Sequence, residues 1–320
     1  MENKTTINDI AQAAGVAKST VSRYLNGGSV SEKTRQKIDN IIETTNYTPN
    51  TFAQSLKLKN NHTVGVIVPR LDSHAQTEML RGLDAENVND TFLIVNTYQD
   101  SERELLEIRK MLTRNVRGLI ILTANMTSEI KATLLDSNLP VVIQGQDEPE
   151  FNRVVMDDYN SGLMVGHYAK QFTPQAPLIL TIPERQDWAI GHERFEGIIS
   201  QLDSKNVTTV ETDFTMESSK QVALALMQNH SFDFIIGATD RIAIGALQAG
   251  LATNQHAKYI GFGKSDLSTT VTPNLTSFEY DFFETGKQLY QLFNDVCEHP
   301  QQAIKKISIQ GQLVERDSTK

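Results

Sequence analysis

The sequence predicts an α/β protein, with a large body of doubly wound parallel sheets in two lobes behind a small all-α helix-turn-helix head. Three observations carry this reading. Beyond residue 62, short Val/Ile-rich runs alternate with helix-prone stretches, the pattern of parallel strands buried on both faces and joined by helical crossovers. The first sixty residues instead show three helical periods broken by turn signals. The charge is also uneven, since residues 1–61 carry a net +3 and the remainder −12, within a total of −9. A basic head can meet phosphates while an acidic body is repelled from them.

In the head, Ile7, Ile10, Ala11 and Ala14 fall on one helical face. Thr6 stands where an N-cap belongs, with Asp9 three residues on to complete a capping box. Gly15 supplies the residue without Cβ restriction that a tight interhelical turn needs. A second helix follows over Lys18 to Leu25, and a third amphipathic stretch runs from Ser31 through Thr44 with Ile38, Ile41 and Ile42 inward. Helix, glycine turn, helix and packing helix is the order of a helix-turn-helix reader. Any three-helix bundle shares that order, so the polar face of the second helix decides. It offers Lys18, Ser19, Thr20, Ser22, Arg23 and Asn26, short hydrogen-bonding or cationic groups suited to base edges and phosphates.

The run from Asn8 through Asn26, with Val30-Ser31-Glu32-Lys33-Thr34-Arg35, Asn46-Tyr47-Thr48-Pro49-Asn50 and Ala53-Gln54-Ser55-Leu56, closely resembles the head of the lactose-repressor (LacI/GalR) family. The resemblance implies a transcriptional repressor with a head over 1–50, a hinge helix and linker over 51–61, and a body over 62–320. It implies that Thr20, Ser22 and Arg23 anchor the reading helix and that Lys18 and Ser19 choose the operator, with Thr6 and Asn26 also expected to bind DNA. It further implies that Asn50 opens a hinge, that Ala53 lies in it, and that Leu56 wedges into the minor groove at the operator centre. Such a wedge unstacks a base step and kinks the duplex.

In the body, strand-like runs are Val64–Val68, Phe92–Val95, Leu119–Leu122, Val141–Ile143, Val154–Met156, Leu178–Ile182, Phe234–Ile236 and Tyr259–Phe262. About ten strands exceed one comfortable sheet, which predicts two lobes with a cleft between them. The resemblance implies a periplasmic-binding-protein-like body, with lobe 1 over about 62–158 plus 284–308 and lobe 2 over about 159–283 plus the C-terminus. Ligands of open α/β sheets sit beyond the carboxyl ends of strands. Those ends carry Arg70, Asp72 and Ser73, then Thr123, Gln146, Trp188, Thr239, Asp240 and Lys264. Polar groups together with Trp188 and Phe214 suit sugar hydroxyls and the apolar faces of pyranose rings. By resemblance, Arg194 is the effector-contacting arginine of an R-x-x-G stretch, Phe214 stacks on the sugar, and Asp240 accepts from hydroxyls or braces the cleft. Arg70-Leu71-Asp72-Ser73 resembles the sucrose- and trehalose-type members, in which an arginine at the first strand end meets a sugar phosphate. Lys264, where most relatives have an acid, is expected to add a second cation, and an Arg70–Asp72 or Arg70–Glu78 salt bridge is the competing reading.

Other classes fall away. No phosphate loop, dinucleotide fingerprint, H-E-x-x-H or G-x-S-x-G motif occurs, and the seven histidines lack ligand spacing, so neither an enzyme nor a metal or cofactor site is expected. The single Cys297 and the absence of an apolar leader or membrane-length run lead us to expect a cytoplasmic protein. A transporter's solute-binding protein would lack the basic head, whereas a global carbon-catabolite regulator of the same family would share it. The amphipathic stretch Phe283 to Cys297 is followed by no leucine heptad, and the expected state is a homodimer on a palindromic operator.

Replacing Lys18 and Ser19 together by the pair of another family member should redirect binding to that member's operator. Each lost base contact should cost about 1–3 kcal/mol in a competition titration at fixed salt. Unchanged operator preference would remove these residues from sequence reading.

Overall fold

A computed structural model describes residues 5–25, 28–45, 47, 62–203 and 205–320. Its two compact units meet in sequence between His62 and Thr63. In the first, α1 (Ile7–Ala14), α2 (Lys18–Leu25) and α3 (Glu32–Thr45) enclose Ile10, Ala11, Ala14, Val21 and Ile38. The Thr6 hydroxyl accepts from the Asp9 amide at 3.4 Å, and the Asp9 carboxylate accepts from the Thr6 amide at 2.7 Å. Two of the free donors at the start of α1 are thereby satisfied. Gly15 closes α1 in the left-handed region at φ +65°. The third helix starts one residue later than its sequence period suggests.

The second unit contains twelve strands among the described residues. The first sheet runs β11 (Lys306–Ile309), β5 (Asn152–Met156), β4 (Val141–Gln144), β3 (Gly118–Leu122), β1 (Thr63–Val68), β2 (Thr91–Asn96), all parallel. The second runs β12 (Gln312–Val314), β10 (Thr276–Glu279), β9 (Lys258–Gly263), β8 (Phe234–Gly237), β6 (Pro177–Thr181), β7 (Thr208–Glu211), with only β12 antiparallel. This is the doubly wound, two-lobed α/β arrangement that the alternation predicts. The strands the apolar runs miss are short or polar: β7 reads TTVE at a sheet edge and β10 reads TSFE.

The chain passes between the sheets three times, after β5, after β10 and between β11 and β12. These crossings lie side by side. Tyr280 Oη reaches the Asp157 carbonyl at 3.5 Å, and a Cβ on Gly311 would stand 2.8 Å from the Glu279 carbonyl.

After the second crossing, α12 (Phe282–Glu298) returns to the first sheet and lies against α4 (His74–Glu86). The contact is backbone to backbone. A Cβ on Gly82 would come within 2.0 Å of the Phe283 carbonyl, and one on Gly286 within 2.0 Å of the Met79 carbonyl. Helices this close exclude any side chain at the crossing point. Gly82→Ala or Gly286→Ala should therefore lower stability by at least about 1–3 kcal/mol, read as a lower urea midpoint at unchanged slope. Wild-type midpoints in both variants would show that the helices can part at no cost.

Candidate effector cleft and nucleic-acid interface

Parallel strands direct their carboxyl ends to one edge, and here the ends of β1, β3, β4, β6, β8 and β9 open onto one cleft between the lobes. Helix packing sets its floor. In α7 (Asp158–Lys170), a Cβ on Gly162 would meet the Arg194 carbonyl at 2.1 Å. In α8 (Phe195–Ile199), one on Gly197 would meet the Tyr159 carbonyl at 2.1 Å. A π turn, Ala189–Arg194, leads into α8 and delivers Arg194 beside the start of α7. The buried Arg194 donates Nε to Asp158 Oδ1 at 2.9 Å and Nη1 to the Ala238 carbonyl at 2.6 Å. Its guanidinium lies 4.5 Å from the centre of the Phe262 ring. Burial pushes the Asp158 carboxyl up, and Arg194 opposes that shift.

Of the effector residues expected from sequence, the cleft lining brings together Arg70, Ser73, Thr123, Arg194, Phe214, Thr239 and Asp240. Asp240 accepts from Ser277 Oγ at 2.6 Å and from the Ser265 amide and hydroxyl at 3.3 and 3.2 Å. These bonds tie Asp240 to Ser265 and to β10, as bracing requires, and it lines the cleft as well. Thr239 caps α10 (Asp240–Thr253), while Ser73 precedes α4 without a capping bond, leaving its hydroxyl for the cleft. Thr123 is buried near Glu104.

Four expected residues are outside the lining. Gln146 is buried and donates to the Ala124 carbonyl at 2.8 Å. Trp188 is 40% exposed and stacks on His192 with ring centres 4.0 Å apart. The Lys264 ammonium sits 3.2 Å from Asp281. Asp72 is exposed and accepts from Arg70 Nε at 3.1 Å and Nη2 at 3.0 Å, so the competing salt bridge is present with Asp72. The same guanidinium lies 4.5 Å from the Phe214 ring centre, one residue from each lobe.

Sequence reading missed His74, Gln76, Gln99 and Arg241, all of which line the cleft. Gln99 follows Tyr98 with both in the left-handed region, at φ +59° and +57°, a backbone reversal no residue-type signal announces. Arg241 had a signal, since it directly follows Thr239-Asp240 in the first turn of a helix starting at a strand end.

On the head, Lys18, Ser19 and Arg23 are exposed along α2, Thr20 and Ser22 are half-buried, and Val21 is fully buried. Thr6 is exposed but its hydroxyl serves the α1 cap. Asn26, Asn50, Ala53 and Leu56 lie outside the described residues.

Residues 6–50 match the family described as bacterial regulatory proteins, lacI family, and residues 57–288 match a periplasmic binding protein domain. The chain is 33% identical over 302 residues to the sucrose operon repressor of Staphylococcus xylosus, across 92% of this chain and 94% of that one. This chain belongs to the LacI family. Catabolite control protein A of Priestia megaterium is 29% identical over 88% of this chain and 89% of its own. The solved lac repressor dimer, bound to operator and the anti-inducer ONPF, shares the fold, with a TM-score of 0.84 at 22% identity over 99% of each chain. As a LacI-family protein, the chain is a DNA-binding transcriptional regulator and not an enzyme. Among the described residues, no helix is long and apolar enough to cross a membrane.

Burial pushes two acids up to about 7, Asp187 in the cleft lining and Glu104, which lies beside Thr123 but outside that lining. At Glu104 the Thr123 hydroxyl pulls the other way. The folded state holds this proton more tightly than the unfolded chain, so its stabilising effect is full below pH 4.5 and is lost as pH rises through about 7. Glu104→Gln should abolish that component. The stability difference between Glu104→Gln and wild type should rise by about 3 kcal/mol from pH 4.5 to 8 in urea titrations. A pH-independent difference would mean that the folded protein and the unfolded chain titrate this acid alike.

Proposed function

We propose that this regulator represses a sugar-utilisation operon, binding a palindromic operator as a homodimer and leaving it when a phosphorylated disaccharide enters the cleft. Arg70 is the observation that carries the proposal. It stands at the end of the first strand with its side chain only 12% exposed, one face toward Phe214 and its in-plane donors on a solvated carboxylate. A planar fork of that kind matches phosphate oxygens two at a time, while an aromatic ring beside it offers a surface for a pyranose face. Likeness to a sucrose operon repressor supports sucrose 6-phosphate ahead of trehalose 6-phosphate. A sugar imported by phosphotransfer would arrive in that form.

A second reading, a global carbon-catabolite regulator answering to a phosphorylated carrier protein, has the likeness to catabolite control protein A in its favour. Polar groups converging on an internal cleft favour direct control by a small molecule.

Calorimetry separates the two. Sucrose 6-phosphate and trehalose 6-phosphate, each beside its free sugar, are titrated into wild type and Arg70→Ala. The phosphate should bind roughly 10- to 100-fold tighter than its sugar in wild type, the range expected of charge-assisted hydrogen bonds, and this advantage should vanish in Arg70→Ala. Equal affinity for sugar and phosphate, or an unaffected Arg70→Ala, would reject the phosphorylated effector.

A further inference from the structure

A second arginine faces the same cleft from the opposite lobe. Arg241, in the first turn of α10, directs Nη1 to the Asp72 carbonyl at 3.2 Å and stands 3.7 Å from Asp72 Oδ2. Its Nε is buried and has no hydrogen-bond partner among the described residues. We infer that Arg70 and Arg241 form one anion clamp spanning the cleft, and that Asp72 is its resident counter-anion, displaced when a ligand phosphate enters. The inference deepens the proposed reading and rests on it for the identity of the ligand.

The geometry favours exchange. Asp72 has two carboxylate oxygens, and Arg70 engages both, one at Nε and one at Nη2. Arg241 is left with a carbonyl and a longer ionic contact. A phosphate monoester presents three terminal oxygens and nearly twice the charge, enough to serve both guanidinium groups at once. The resident is also weakly held, because the Asp72 side chain is 64% exposed and remains hydrated, and a solvated ion pair is worth little. The arginine it would leave is not stranded. Arg70 keeps its contact with Phe214 through the ring face, which does not compete with in-plane donors.

Two consequences separate this arrangement from a plain positive pocket. Asp72 competes with every anion, so the clamp discriminates between a dianionic phosphate and weaker anions such as carboxylates. The clamp also draws one cation from each lobe, so the phosphate links the lobes directly. Lys264 has no part in it, its ammonium being engaged with Asp281.

The test uses the full chain and inorganic phosphate alone, titrated by calorimetry at low ionic strength. Asp72→Asn should bind phosphate about tenfold or more tighter than wild type, since a competing charge-assisted pair has been removed. Adding Arg241→Gln to Asp72→Asn should return affinity to the wild-type level or below. Asp72 is exposed, so its replacement should leave the thermal midpoint near wild type, and this is checked first. Equal phosphate affinity in wild type and Asp72→Asn, or a gain that survives Arg241→Gln, would overturn the clamp. The sugar comparison is scored separately. If wild type binds free sugar as tightly as its phosphate while Asp72→Asn still gains inorganic phosphate, the clamp stands and the phosphorylated effector falls.

Discussion

A guanidinium buried at the floor of the cleft sets the terms for everything around it. Removing a charge from water is costly unless its donors and its counter-charge are fully provided for, and a half-provided site is worse than an apolar one. Arg194 meets that demand with Asp158 at the start of α7 and the Ala238 carbonyl at the end of β8. The first lies beside a crossing between the lobes, and the second belongs to the central region of the second sheet. Gly162 and Gly197 let the helices carrying Asp158 and Arg194 approach until backbone touches backbone. Cleft floor, helix packing and crossing geometry are therefore one constraint. Asp240, fixed by Ser265 and Ser277, repeats the scheme on the far side with hydroxyls in place of a cation.

What could be read from sequence was local or strongly periodic. The capping box of Thr6 and Asp9 involves residues three apart, and the left-handed turn at Gly15 needs only its own residue type. Buried parallel strands announce themselves as apolar runs because both faces are covered, as in Gly118–Leu122 and Phe234–Gly237. Edge strands lack that signature, since TTVE in β7 is half solvated and matches many loops. Among the cleft residues, Arg70 and Phe214 were legible because they stand just past strand ends, and Arg194 because it opens an R-x-x-G stretch.

The remainder depended on contacts that close only in three dimensions. Trp188 lies on a strand-end loop as expected, yet stacks on His192 and not in the cleft. Lys264 carries the charge that invites a phosphate, but Asp281, seventeen residues on, reaches it first. Arg241 directly follows Thr239-Asp240 in the first turn of α10, so its place at a strand end was legible, but its partner Asp72 on the opposite lobe was not. Partner choice among charged side chains is set by distances of a few ångströms, which spacing along the chain does not encode.

The three adjacent crossings have a mechanical consequence. Two bodies joined by one strand can swing, twist and slide, but three parallel tethers in one row leave a single easy movement, a swing about the row. Shear would stretch one tether against another, and the crossings are tied by Tyr280 Oη to the Asp157 carbonyl and leave no room for a side chain at Gly311. The state of the cleft thus reduces to an angle. A ligand gripped by both lobes would then act on a single coordinate, the angle between the two sheets.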